Sequence, residues 1–293
     1  MSDVQIAFDA GNHLGETPIW SVEEQALWWI NCEHPAELHR WHPESGAHGC
    51  WPMPKRIGGF VPKASGGLLV ALADGVYDFI PASGLLSLRA ASPFPPHVNL
   101  HECHCDRHGR FWIGGFDTRY PADRTAADAG YCRLDGDRLT IVVTGVHVAN
   151  GLAFSPDGRT MYAVTSPTRQ VDAFDLDPAT GALSNRRPFA TLGEGEGFAD
   201  GATVDSEGGY WMANVAAGAL RRYWPDGTFD RLVALPFANP TKPAFGGPDL
   251  KRLFVTTTQM AMPPATFARS MPNGPVYVLE PGETGVPEVP FAG

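Results

Sequence analysis

The stretch GLAFSPDGRTMYAV, residues 151–164, sets out an apolar run, a four-residue turn and a second apolar run. The turn is Ser155-Pro156-Asp157-Gly158, and its Asp and Gly supply the backbone freedom that a tight hairpin requires. Runs such as TMYAV are about five residues long and rich in β-formers, which reads as strand rather than helix. The same order recurs in IGGFVPKASGGLLVALADGVYDFIPASG (57–84), CHCDRHGRFWIGGF (103–116), GATVDSEGGYWMAN (201–214) and AFGGPDLKRLFVTT (244–257). Bulky residues after the turns serve as rulers. Trp29, Leu69, Trp112, Tyr162, Trp211 and Phe254 lie 40, 43, 50, 49 and 43 residues apart.

A period of this length points to stacked or circular repeats, and each unit is long enough for a four-stranded blade. The expectation is an all-β, six-bladed β-propeller, with four-stranded blades around a central channel and residues 1–293 forming one domain. A sandwich rarely repeats one turn-to-strand order six times, and an open solenoid needs capping repeats that the sequence does not display. The segment VQIAF (4–8) has no partner in the first unit. It is expected to pair with the last unit, near PVYVLEP (275–281), and so to close the ring. The segments FPPH (94–97), DRTAADAG (123–130) and MPPA (262–265) read as loops, and no candidate helix exceeds two turns.

The composition fits this reading. The chain has 293 residues, with 33 glycines and 27 prolines, too many for a helical protein and without a collagen period. A net charge of −10 argues against nucleic acid and anionic membrane as partners. The N-terminal stretch has no signal-like apolar run, and none of the chain is apolar for long enough to span a bilayer. Five cysteines cannot pair completely, so a reducing, cytoplasmic setting is expected. Asn239-Pro240-Thr241 carries proline at the forbidden position of a glycosylation triplet. GEGEGF (193–198) lacks the lysine and the helix of a phosphate loop, and no G-x-S-x-G elbow is present.

A propeller places the first strand of each blade around its channel. Counting back 11 or 12 residues from the bulky positions reaches one phase in each unit. Glu16 lies 12 before Trp28, His101 11 before Trp112, Asn150 12 before Tyr162, and Asp200 11 before Trp211. The same count reaches Ile57 or Gly58, and Lys242. Turn or cap duty is the ordinary use of a lone Asn or Asp, but scattered residues have no reason to share an offset. Two carboxylates in a narrow channel repel unless one is protonated or a cation lies between them. With the Asn150 amide oxygen they make a hard oxygen site, suited to one divalent metal ion: calcium, magnesium or manganese, with zinc also accommodated.

NLHECHCDRHGRFW (99–112) looks at first like a zinc motif. Strand alternation would send His101, Cys103 and Cys105 one way and Glu102, His104 and Asp106 the other. Cysteines spaced two apart on an extended strand are small core residues, not a knuckle. Asp106–Gly109 reads as the hairpin turn with His108 exposed, leaving His101 at the channel phase.

The segments LGETPIW (14–20), GGLLVALADGV (66–76), DRHGRFWIGG (106–115), NGLAFSPDGRTMY (150–162), GEGFADGATVDSEGGYWMAN (195–214), AFGGPDLKRLFVTT (244–257) and the final GETGVPEVPFAG together resemble the senescence marker protein 30, regucalcin and gluconolactonase family. The resemblance runs through all six units. It implies a six-bladed propeller with one divalent cation, of calcium, zinc, manganese or related identity, on Glu16, Asn150 and Asp200. It further implies hydrolysis of an aldonolactone, gluconolactone-like or pentonolactone-like, with Asp200 as general base.

The departure falls at 99–102. Where the family commonly has R-x-N-D-G, with Arg and Asn on substrate hydroxyls, this chain has Asn99, His101 and Glu102. A fork of donors is replaced by a short amide, and an amide by an imidazole. Arg119, in the loop after the third unit's second strand, is a candidate replacement charge over the mouth, and a surface salt bridge is its other use. His101, with an ordinary pKa near ~6.5, is a second candidate base, a substrate donor, or a fourth metal ligand favouring zinc or iron. Three other functions remain open: a non-catalytic calcium-binding regulatory propeller, a metal-dependent hydrolase of other esters, and a protein-binding platform. The oligomeric state is left open.

Overall fold

In the computed structural model, which describes residues 3–260 and 270–293, six four-stranded antiparallel sheets make up six blades. Blade 1 comprises Gly15–Ser21, Ala26–Asn31, Glu37–Trp41 and His48–Pro52. The innermost strands of blades 2 to 6 are Ile57–Pro62, Val98–Cys105, Ala149–Phe154, Phe198–Val204 and Pro240–Gly246. Each innermost strand touches the next, and the sixth touches the first, which defines a closed ring around an axis. The six bulky rulers all lie buried in the second strands. One short 3-10 turn, Ser166–Thr168, is the only helical element among the described residues.

Blade 6 is completed from both ends of the chain. Its strands are Pro240–Gly246, Arg252–Thr257, Val276–Leu279 and the N-terminal Gln5–Phe8, which pairs antiparallel with Val276–Leu279. The expected pairing of VQIAF with the last unit is therefore present. The FPPH loop is also as expected; DRTAADAG is loop except for its last two residues, which begin a strand at Ala129. MPPA lies outside the described residues.

The core is not central but divided among the blade interfaces. Val61, Leu69, Leu100 and Ile113 join blades 2 and 3. Tyr162, Val164, Ala202 and Met212 join blades 4 and 5. Comparable clusters fill the remaining interfaces, including Trp20, Leu27, Trp29 and Phe254 between blades 1 and 6. Sheets packed face to face in this way leave the axis free for polar groups.

The hairpin turns share a mechanism. The backbone N–H groups of Gly109, Gly158 and Gly208 donate to the carbonyls of Asp106, Ser155 and Asp205 at 2.9–3.0 Å. In two blades the turn aspartate also accepts from an indole: Trp112 Nε1 to Asp106 at 3.0 Å and Trp211 Nε1 to Asp205 at 2.8 Å. The turn residue thereby orients the ruler residue of its own blade.

Every innermost strand is bulged at the same place, with a register shift at Glu16/Ile19, Ile57/Gly59, His101/Cys103, Asn150/Ala153, Ala199/Ala202 and Pro240/Pro243. A bulge inserts an extra residue and re-aims its side chain. It breaks the simple alternation expected for 101–106. Glu102, at φ 47°, is the inserted residue, and it is buried with its carboxylate on Lys242 across the ring, while His101 packs against Arg56 of blade 2. Cys103 and Cys105 are core residues, and His108 is exposed in its turn.

Candidate metal centre and active site

The bulges set the polar residues of the channel. Glu16 immediately precedes the bulge of blade 1 and is 3% exposed. One of its carboxylate oxygens accepts from the Thr17 backbone N–H at 3.1 Å. Burial, reinforced by the Glu102 charge, pushes its pKa up to about 7 against the opposing pull of Lys242 and Arg56. Asp200 lies within the bulge of blade 5. Burial first, then Glu16 and Glu102, hold its carboxyl well above the ordinary range. Neither acid forms an ion pair with Lys, Arg or His among the described residues.

Asn150, 6% exposed, precedes the bulge of blade 4. Its backbone is pinned by the Tyr131 hydroxyl, which accepts from the N–H groups of Asn150 and Val164 at 3.1 and 3.2 Å. The next residue is Gly151 at φ 61°, where a Cβ would lie 2.4 Å from Val164 Cγ2 and 2.5 Å from Tyr210 Oη. Glycine is required there. The amide orientation follows from Ser166. Its one hydroxyl proton goes to the Ala199 carbonyl at 2.9 Å, so its oxygen must accept from Asn150 Nδ2 at 2.7 Å. That leaves Asn150 Oδ1 as an acceptor, facing the His101 ring. Two carboxylates lacking a cation and one oriented amide oxygen fit a hard divalent ion.

His101 is 6% exposed, and its Nδ1 lies 3.3 Å from Arg56 Nη2. Arginine can only donate, so Nδ1 accepts and the ring proton resides on Nε2. Burial first and Arg56 second push its pKa down to about 3. His101 is a neutral imidazole offering a donor, and as a base it is weak. Glu102 is 1% exposed; its Oε1 accepts from Lys242 Nζ at 2.8 Å and its Oε2 from Leu152 N at 3.1 Å. Burial disfavours the Lys242 charge, but the Glu102 contact outweighs it and raises the pKa of Lys242.

Asn99 lies on the same strand, partly buried and paired with Phe116. Arg119 is gripped by Asp117 at 2.9 and 2.6 Å and reaches Asp128 at 2.7 Å. The arginine that adjoins His101 is instead Arg56, just before the innermost strand of blade 2, 3.6 Å from Glu33 and 5.6 Å from the Phe116 ring. The phase count stopped one residue short of it, at uncharged Ile57 and Gly58.

The opposite end of the channel is covered by the C-terminal segment. Gly285 pairs with Asp205 of blade 5, and Phe291 with Lys63 of blade 2. Between them Glu288 lies 3.0 Å from His104 Nε2.

Fold and site together define a six-bladed β-propeller with an acidic cluster at one end of its axis. The chain belongs to the SMP-30/gluconolactonase/LRE-like family, whose model matches residues 14–259. It is 36% identical to 6-deoxy-6-sulfogluconolactonase of Pseudomonas putida over 284 residues, covering 96% of this chain and 95% of the relative. It is 33% identical to L-arabinolactonase of Azospirillum brasilense, covering 97% and 94%. The crystal structure of a calcium-binding protein, regucalcin, from Agrobacterium tumefaciens matches with a TM-score of 0.89 at 25% identity, covering 99% of this chain and 97% of that one.

Proposed function

We propose that this protein hydrolyses a sugar lactone, an aldonolactone of the gluconolactone or pentonolactone type, to the open-chain acid, with one divalent cation on Glu16, Asn150 and Asp200. The observation that carries the reading is a pair of acids with raised proton affinity and no ion-pair partner among the described residues, Glu16 buried and Asp200 partly buried, together with an amide whose nitrogen is committed to Ser166. The named activities of the two lactonase relatives, which align along nearly the whole chain, support the substrate class. The calcium-binding relative supports the cation.

When bound, the cation supplies charge that stabilises the negative oxygen developing on the lactone carbonyl. Asp200 takes a proton from the attacking water as the hydroxyl oxygen bonds to the carbonyl carbon. The ring C–O bond then breaks, and Asp200 returns the proton to the departing alkoxide. His101 is the poorer candidate for this role, because burial and Arg56 push its pKa down to about 3. His101 donates from Nε2 to a substrate oxygen, with Asn99 nearby and Arg56 holding the ring. Glu102 and Arg119 are engaged by Lys242 and by Asp117 and Asp128, so they act by shaping the wall and the rim.

The test is acid release from a panel of pentono- and hexonolactones by protein stripped of metal and then reloaded. Turnover is expected only after reloading with calcium, zinc, manganese, magnesium or iron. Full turnover by the stripped protein would overturn the cation's role, and inactivity on every lactone with metal bound would overturn the reaction.

A further inference from the structure

A second cluster of chemistry-bearing side chains lies far from the axis, on the outer half of blade 1. Its third strand, Glu37–Trp41, and outer strand, His48–Pro52, pair so that His39 faces Cys50 directly. Glu37 and His39 are two residues apart, as are His48 and Cys50, so all four side chains emerge on one face. The ligand-capable atoms of Glu37, His39 and Cys50 lie within 4.8 Å of one another.

His39 is the telling member. It is 4% exposed, yet its Nε2 has no hydrogen-bond partner among the described residues, with the Glu37 carboxylate 3.5 Å away. Its other nitrogen, Nδ1, is 3.2 Å from His48 Nε2. The ring is clamped in place, stacked on Trp29 at 4.9 Å and on His48 at 5.4 Å. A proton on Nδ1 donated to His48 leaves Nε2 with a lone pair aimed at the space between Glu37 and Cys50. Metal-bound histidines regularly have their second nitrogen held by such a partner. No lysine or arginine ion-pairs with Glu37 among the described residues. The other comparable group, His97, Asp117 and Asp128, already holds a cation in the guanidinium of Arg119.

We propose that Glu37, His39 and Cys50 form a second metal site, for a zinc-class divalent ion with water as the fourth ligand and His48 supporting His39. Tetrahedral zinc, with bonds of about 2.0–2.3 Å, sets its ligand atoms roughly 3.3–3.8 Å apart. A contraction of about an ångström suffices, on an edge where Cys50 is exposed. Binding exchanges the thiol proton, released to solvent, for a sulfur–metal bond. Burial already keeps His39 neutral, with its pKa down to about 4, the form that ligates. Burial and then Glu37 push the Cys50 thiol up to about 11, so uptake is proton-coupled and strengthens as pH rises.

The experiment titrates cobalt(II), a spectroscopic stand-in for zinc, into the metal-stripped full-length protein, into Glu16→Gln and into Cys50→Ser. A near-ultraviolet thiolate-to-cobalt charge-transfer band should saturate at one equivalent of site in the first two and be absent in Cys50→Ser. Added zinc should erase the band, and zinc content should fall by one ion per chain in Cys50→Ser while lactone hydrolysis is retained. Absence of the band in the unaltered protein, its persistence in Cys50→Ser, or an unchanged zinc count would each overturn the site.

Discussion

Ser166 touches no expected ligand atom except through Asn150, yet it decides which end of that amide faces the channel. Ser166→Ala frees the amide to rotate and should weaken cation binding about tenfold, read by calorimetric titration, with turnover recovered at saturating metal. Lys242 makes a different case. Truncating it to Met leaves Glu102 charged and buried, and unfolding in urea should show a loss of about 3–5 kcal/mol. The double variant with Glu102→Gln should regain much of that loss; equal losses in both would show that packing, not charge, is the cause. At this scale the places of Glu16, Asn150 and Asp200 at the bulges of three innermost strands were legible, because each lies 11 or 12 residues before a bulky neighbour. Arg56 was not. Its side chain reaches His101 from the adjoining blade, and no spacing within one unit encodes a contact between two.

The strand-turn-strand order was readable because Asp, Gly and an aromatic recur at near-constant offsets. The bulge was not. Six strands carry it on six unlike sequences, including Thr17 and Glu102 at positive φ, so pattern alone still predicts simple alternation. The C-terminal segment is an element without regular structure, held by individual contacts such as His104 to Glu288. Burial raises the Glu288 pKa, but His104, then Lys242 and Arg107, outweigh it and bring it below the ordinary value. A lowered folded pKa stabilises fully above the unfolded value of about 4.3 and is lost as pH falls through the folded one. Hydrogen exchange should therefore find the Phe291 and Ala292 amides, bonded to Pro62 and Gly109, losing protection in acid before the blades do. Simultaneous loss everywhere would argue against a separate tether.

As a whole, the molecule is a ring whose six cores lie between blades, so no blade buries its own apolar faces. The period foretold that arrangement, since repeats with no private core must stack. Deleting Gln5–Phe8 removes the strand that completes blade 6 and bares the edge of Val276–Leu279. Such an edge invites pairing with other chains. The deletion should lower the melting temperature and produce concentration-dependent aggregates in light scattering; a monodisperse variant of unchanged stability would refute the closure's importance.

That closure also governs how the protein comes into being. Gln5 leaves the ribosome early, but its partner Val278 emerges about 270 residues later, tens of seconds at ~5–20 residues per second. Throughout that wait the nascent arc has one apolar blade face at each end, and the first strand has nothing to pair with. Chaperones that shield strand edges therefore have a defined period of work on this chain, ending when blade 6 is released and both ends meet.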